Sequence, residues 1–110
     1  MTEVEALQIG RARIAKGHSI GAPARRQDGS ICDPDSPDAC SWCAIGSLQD
    51  LPTPPDQWCA GYKFLQQALS GLPTYMGGGV VYYSDKHTQL ELVQLFDKAI
   101  DLAKELEVSE

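Results

Sequence analysis

From Thr88 to about Glu107, apolar residues recur at helical spacing for nearly twenty positions. Leu92, Phe96, Ala99, Leu102 and Leu106 form one stripe, with Leu95 and Ala103 beside it. Gln94, Asp97, Lys98 and Asp101 occupy the opposite face. Such a stripe predicts a long amphipathic helix that must bury one side against other elements. Thr88-Gln89-Leu90-Glu91 has capping-box spacing at its start.

Two further segments supply partners. Val4, Leu7 and Ile14, with Ala6 and Ile9 alongside, predict a first helix over 3–16 that stops at Lys16-Gly17. Arg11, Arg13 and Lys16 point elsewhere. Trp58, Tyr62, Leu65, Leu69 and Leu72 recur at steps of four and three, a second packing stripe. Thr53-Pro54-Pro55-Asp56 starts that helix, and Gly71 and Pro73 end it.

Residues 36–49 also read as a helix. Ser36 suits the N-cap, Pro37 the first helical position and Asp38 the positive end of the dipole. Trp42, Cys43, Ala44, Ile45 and Leu48 make its later part apolar on nearly every side, which predicts the central helix of the core. Gly46 within it costs about 1 kcal/mol relative to alanine, so a close neighbour must offset it: a backbone by preference, otherwise a ligand.

Strand signals are fewer. Asp28-Gly29, inside Ala24–Cys32, is the dipeptide favoured in a type I′ hairpin turn. Val80-Val81-Tyr82-Tyr83 is β-branched and aromatic and reads as a strand. Gly77-Gly78-Gly79 precedes it. A phosphate loop runs strand, glycines, helix, so these glycines read as a hinge rather than a cradle. The expected fold is α+β and mainly helical: about four helices with a short hairpin or small sheet, in one domain spanning residues 1–110.

Composition narrows the function classes. The chain has 110 residues and a net charge of −6. Residues 1–26 carry Arg11, Arg13, Lys16, Arg25 and Arg26 against Glu3 and Glu5, whereas 27–110 are strongly acidic. That balance argues against nucleic-acid binding. No apolar run approaches the length of a membrane span, so no membrane partner is expected. Met1–Glu5 lacks the basic and apolar regions of a secretory leader, which makes the cytoplasm the expected compartment.

In that compartment Cys32, Cys40, Cys43 and Cys59 are expected as thiols. Cys40 and Cys43 form a C-x-x-C pair. A structural zinc needs four ligands, and Cys32, Cys59, His18 and His87 stand too scattered to complete one. A thioredoxin-like redox pair would need a βαβ context. No metal and no cofactor is expected, and the cysteines read as small apolar packing residues.

Several motifs together resemble a known family. They are Gly21-Ala22-x-Ala24-Arg25 with Asp28-Gly29, then Trp42-Cys43-Ala44-Ile45-Gly46. Tyr83-Ser84-Asp85 and Thr88 follow, then Val93-x-x-Phe96-Asp97-x-Ala99-Ile100. The pattern resembles an uncharacterised family of small bacterial and phage proteins classed as a domain of unknown function, over nearly the whole chain. The resemblance implies an intracellular protein without an assigned activity. This chain departs from the family pattern at His18, where the family often has Trp, and at Ser84, where it often has Asn before Asp.

Two function classes remain. The first is an accessory protein that binds a partner protein or a small ligand. Its site is a cleft between the helix over 36–49 and the turn before the last helix. Trp42 and Cys43 form the apolar wall, Tyr83, Ser84, Asp85 and Thr88 supply polar groups, and Arg25 or Arg26 stands at the rim. The alternative is a cysteine-dependent hydrolase or transferase, with Cys43 as nucleophile, His87 as base and Asp85 orienting it. Cys43 lies two turns into its expected helix, where the dipole that would activate a thiolate has faded. Asp85 is otherwise a turn residue. The sequence leaves the oligomeric state open.

Overall fold

A computed structural model of the chain describes residues 2–51, 55–73 and 77–109, with side-chain surroundings at 2–51, 60–73 and 77–106. Among the described residues there are four α-helices and a two-stranded antiparallel sheet. The helices are α1 (Glu3–Lys16), α2 (Pro55–Ser70), α3 (Val80–Lys86) and α4 (Gln89–Ser109). The strands are β1 (Ala24–Arg26) and β2 (Ala39–Trp42). The mainly helical α+β class expected from the sequence is what the chain adopts. Among the described residues, no helix is long and apolar enough to cross a membrane.

The three long helices form where their stripes predict. Thr2 and Glu5 make a reciprocal capping box at the start of α1. Thr88 and Glu91 make the same arrangement before α4. The Glu5 and Glu91 carboxyls both sit below the usual glutamate range, because backbone N–H groups at the caps hold the ionised form. Val4, Leu7 and Ile14 of α1 pack with Leu65 and Leu69 of α2 and with Leu92, Leu95, Phe96, Ala99 and Ala103 of α4. Leu106 departs from its expected place in the α4 stripe and is 51% exposed. The Trp58 and Cys59 side chains, and the Thr53-Pro54 helix start, lie outside the described residues.

Residues 36–49 are not a helix. Ser36 caps a turn, accepting the Asp38 N–H, and β2 follows. β2 pairs with β1 in the register Ala24↔Trp42, Arg25↔Ser41 and Arg26↔Ala39, with an irregularity that leaves Cys40 as the extra residue. A single 3-10 turn, Gly46–Leu48, comes next. Trp42, Cys43, Ala44 and Leu48 are buried as expected. A short apolar run is the case in which periodicity cannot separate helix from strand, and Ser41, Gly46 and Ser47 are weak helix formers. Gly46 is needed for a close backbone approach: a Cβ there would lie 1.8 Å from the Pro23 carbonyl oxygen.

Val80–Tyr83 forms the first turns of α3, not a strand. Val80 and Ser84 sit four residues apart and are both fully buried. That one-sided burial overrides the β propensity of the four residues. The Asp28-Gly29 hairpin does form, and Arg25 also bridges Ile31 across it. Its turn is not type I′. Only Gly29 takes a positive φ, 89°, while Gly29 N–H bonds the Arg26 carbonyl. That geometry is a type I turn closed by a left-handed glycine.

Candidate functional site

The loop after α1 brings the site together. The Trp42 backbone is clasped on both sides: its N–H donates to the Gly17 carbonyl and its carbonyl accepts the Ser19 N–H. Cys43 N–H then donates to the Pro23 carbonyl at 3.2 Å. The chain leaving β2 therefore runs beside residues 17–23, and α3 lies across both.

Ser84 is the polar centre of that junction. Its buried hydroxyl oxygen accepts the Ala44 N–H at 3.2 Å and shares a hydrogen bond with His18 Nε2, also at 3.2 Å. Next to it, Asp85 Oδ1 accepts the Gly21 N–H at 3.4 Å. These contacts tie α3 to the 18–21 loop and to the exit of β2. His18 and Ser84 thus bond each other across the junction.

An open groove of about 340 Å3 lies along this junction, lined by Gly21, Ala22, Pro23, Cys43, Ile45, Gln49, Val81 and Asp85. Its walls are mostly apolar, and Asp85 is the charged group that lines it. Ile20 and Tyr82, the chain neighbours of Gly21 and Val81, are more than half exposed, and Val81 is 40% exposed. Arg25 stands near the Gly21 end, where its guanidinium donates to the carbonyls of Ile20 and Gly29.

The residues singled out from the sequence are placed as follows. Cys43 and Asp85 share the groove, Ser84 lies behind it and Arg25 is at its rim. The other candidates go elsewhere. Trp42 is buried, and its indole N–H donates to the Pro34 carbonyl at 2.8 Å. Thr88 is consumed by the α4 cap. Arg26 pins the hairpin through the Ile31 carbonyl and lies 3.8 Å from Asp38. Tyr83 lines a different groove, beside Leu72, Glu91 and Leu95. Burial pushes its phenol up from the ordinary range.

The proposed cysteine–histidine pair has separate partners. Cys43 Sγ accepts the Gly46 N–H at 3.3 Å, which closes the turn after β2, and the residue is only 8% exposed. His87 stacks on Tyr83 with ring centroids 3.8 Å apart, and its Nδ1 is 3.0 Å from the Tyr83 carbonyl oxygen. Among the described residues no group of acidic, histidine or cysteine side chains is arranged to hold a metal.

Arg13 is a site-positioning residue that sequence reasoning missed. Its guanidinium donates to the carbonyls of Gly46, Ser47 and Gln49 and lies over the Trp42 ring, 5.7 Å from the centroid. Burial lowers its pKa from the ordinary arginine value, while the Asp35 and Asp50 carboxylates oppose the shift. The helical pattern placed Arg13 off the apolar stripe, but only tertiary structure could supply three carbonyls for it to meet. No protein-family model, curated protein or solved structure matches this chain.

Proposed function

We propose that the protein is a non-enzymatic accessory protein of the bacterial or phage cytoplasm, related to the domain of unknown function it resembles. It binds a partner protein or a small ligand in the groove between the β2 exit and α3. The observation that carries this reading is the groove's make-up: apolar walls from Ala22, Pro23, Ile45 and Val81, with the Asp85 carboxylate among them. An apolar site with a few placed polar groups is the usual form of a binding pocket. The exposed side chains of Ile20, Val81 and Tyr82 extend that apolar surface beyond the groove.

The packing of Cys43 also favours binding over catalysis. A nucleophilic thiolate needs access and an activating base. Here the sulfur is nearly buried and accepts a backbone N–H.

Affinity capture from the host's own lysate tests the reading, with quantitative mass spectrometry of proteins and small molecules. Val81→Asp places a charge on the exposed groove wall without touching the core. A partner or ligand held by the wild type and lost from Val81→Asp supports the proposal. An identical associated set on both proteins, or none on either, rejects it.

A further inference from the structure

We infer that α3 is a strap that opens and closes over the Cys43–Ala44 segment, and that the groove is complete only while α3 is docked. Both ends of the helix are built for this. At its entry stand Gly77, Gly78 and Gly79, with φ values of 98° and 86° at the first two. At its exit His87 is extended, with φ −121° and ψ 166°, before α4 begins at Gln89.

α3 has seven residues. A helix of that length does not persist in water without tertiary contacts, since isolated helices below about 12–15 residues are marginal. Its helical state therefore depends on docking. Val80 and Ser84 are its fully buried residues, whereas Val81 and Tyr82 face outward. The docking joins an apolar seat, with Val80 in the core and Tyr83 packed against it, to a polar clasp: Ser84 with Ala44 N–H and His18, and Asp85 with Gly21 N–H.

Such a clasp can be released locally. Net hydrogen-bond contributions are small, and local openings of short elements lie at the low end of the free-energy range of a fold. Opening moves Val81 and Asp85 off the groove and uncovers Cys43. It also frees the Ala44 N–H and the buried seat of Val80. The inference deepens the binding reading by regulating the same groove. Its test reads thiol access rather than partner capture, so the two can fail separately.

The experiment is iodoacetamide labelling of the native protein, with Cys43 resolved from the other cysteines by peptide mass spectrometry. Amide hydrogen exchange is followed in parallel. Where reclosing outpaces labelling, the rate follows the population of the open form. In the wild type, Cys43 should label faster than global unfolding allows, with little dependence on denaturant. Ser84→Ala removes both clasp bonds of the hydroxyl with a small change in volume. It should raise the Cys43 rate about tenfold, while amides in the centres of α1 and α4 lose no more than that factor and remain far better protected than those of α3. Asp85→Asn, which keeps an acceptor for Gly21, should raise it less.

Three results overturn the inference: Cys43 labelling that follows global unfolding in its denaturant dependence, a Cys43 rate left unchanged by Ser84→Ala, or α3 amides with the same protection and denaturant dependence as the centres of α1 and α4, which would make α3 part of the global unit.

Discussion

Replacing Gly46 by alanine tests the arrangement that replaces the expected central helix. The new Cβ would lie 1.8 Å from the Pro23 carbonyl oxygen, 2.6 Å from its carbon and 2.8 Å from Pro23 Cα. Ordinary contact begins at 3.4 Å, so the oxygen must retreat about 1.6 Å from its 1.8 Å position. That oxygen accepts the Cys43 N–H at 3.2 Å, a bond that does not survive such a move. Overpacking costs about 1–3 kcal/mol and the lost bond about 1 kcal/mol, against an unfolded-state gain of about 0.4–1 kcal/mol. The net loss should be about 1–3.5 kcal/mol, read from urea melts at constant m. Gly71→Ala is the control. Its Cβ would meet nothing closer than 3.6 Å. The control should be neutral or slightly stabilising. A Gly46→Ala protein within about 0.5 kcal/mol of the wild type would refute the packing of the β2 exit against Pro23.

Trp42→Ala should cost about 3–5 kcal/mol in the same melts, because the ring is buried, and Trp42→Phe about 1 kcal/mol through the lost bond to the Pro34 carbonyl. A loss under about 1 kcal/mol for Trp42→Ala would place the ring at the surface. Arg13→Ala should cost about 1.5–3 kcal/mol, with Arg13→Lys restoring only part, since three carbonyls lose a charged donor. Equal stability of Arg13→Lys and wild type would show that the fork geometry is unused. Glu91 should titrate below a free glutamate. Its lowered folded-state pKa means that its stabilisation is present at neutral pH and is lost as pH falls through that value. Carboxyl chemical shifts followed through acid check this, and a normal midpoint would remove the α4 capping box; Thr88→Ala should shift the midpoint back towards normal.

The long helices were legible because their apolar residues repeat over several turns, and α1, α2 and α4 form where those stripes lie, with Leu106 the departure in α4. Two short segments were not. Trp42–Leu48 is apolar without a period, and what shapes it is Pro23, twenty residues away in sequence. Val80–Tyr83 has strand-forming side chains, but the burial of Val80 and Ser84 selects a helix. The two errors changed what surrounds Cys43 and Asp85: both line one groove, but Trp42, Tyr83 and Thr88, expected beside them, do not. The His18–Ser84 bond and the Arg13 anchor were illegible, because each joins segments more than thirty residues apart.

Amide shift mapping with the captured partner or ligand tests the central claim most directly. Isotope-labelled protein should show shifts at residues 20–23, 43–49 and 80–86, the segments that form the groove and its rim. The same titration on Val81→Asp should show them greatly reduced. Shifts confined to the first turns of α1 or the solvent face of α2 would contradict the account, whatever the affinity measured.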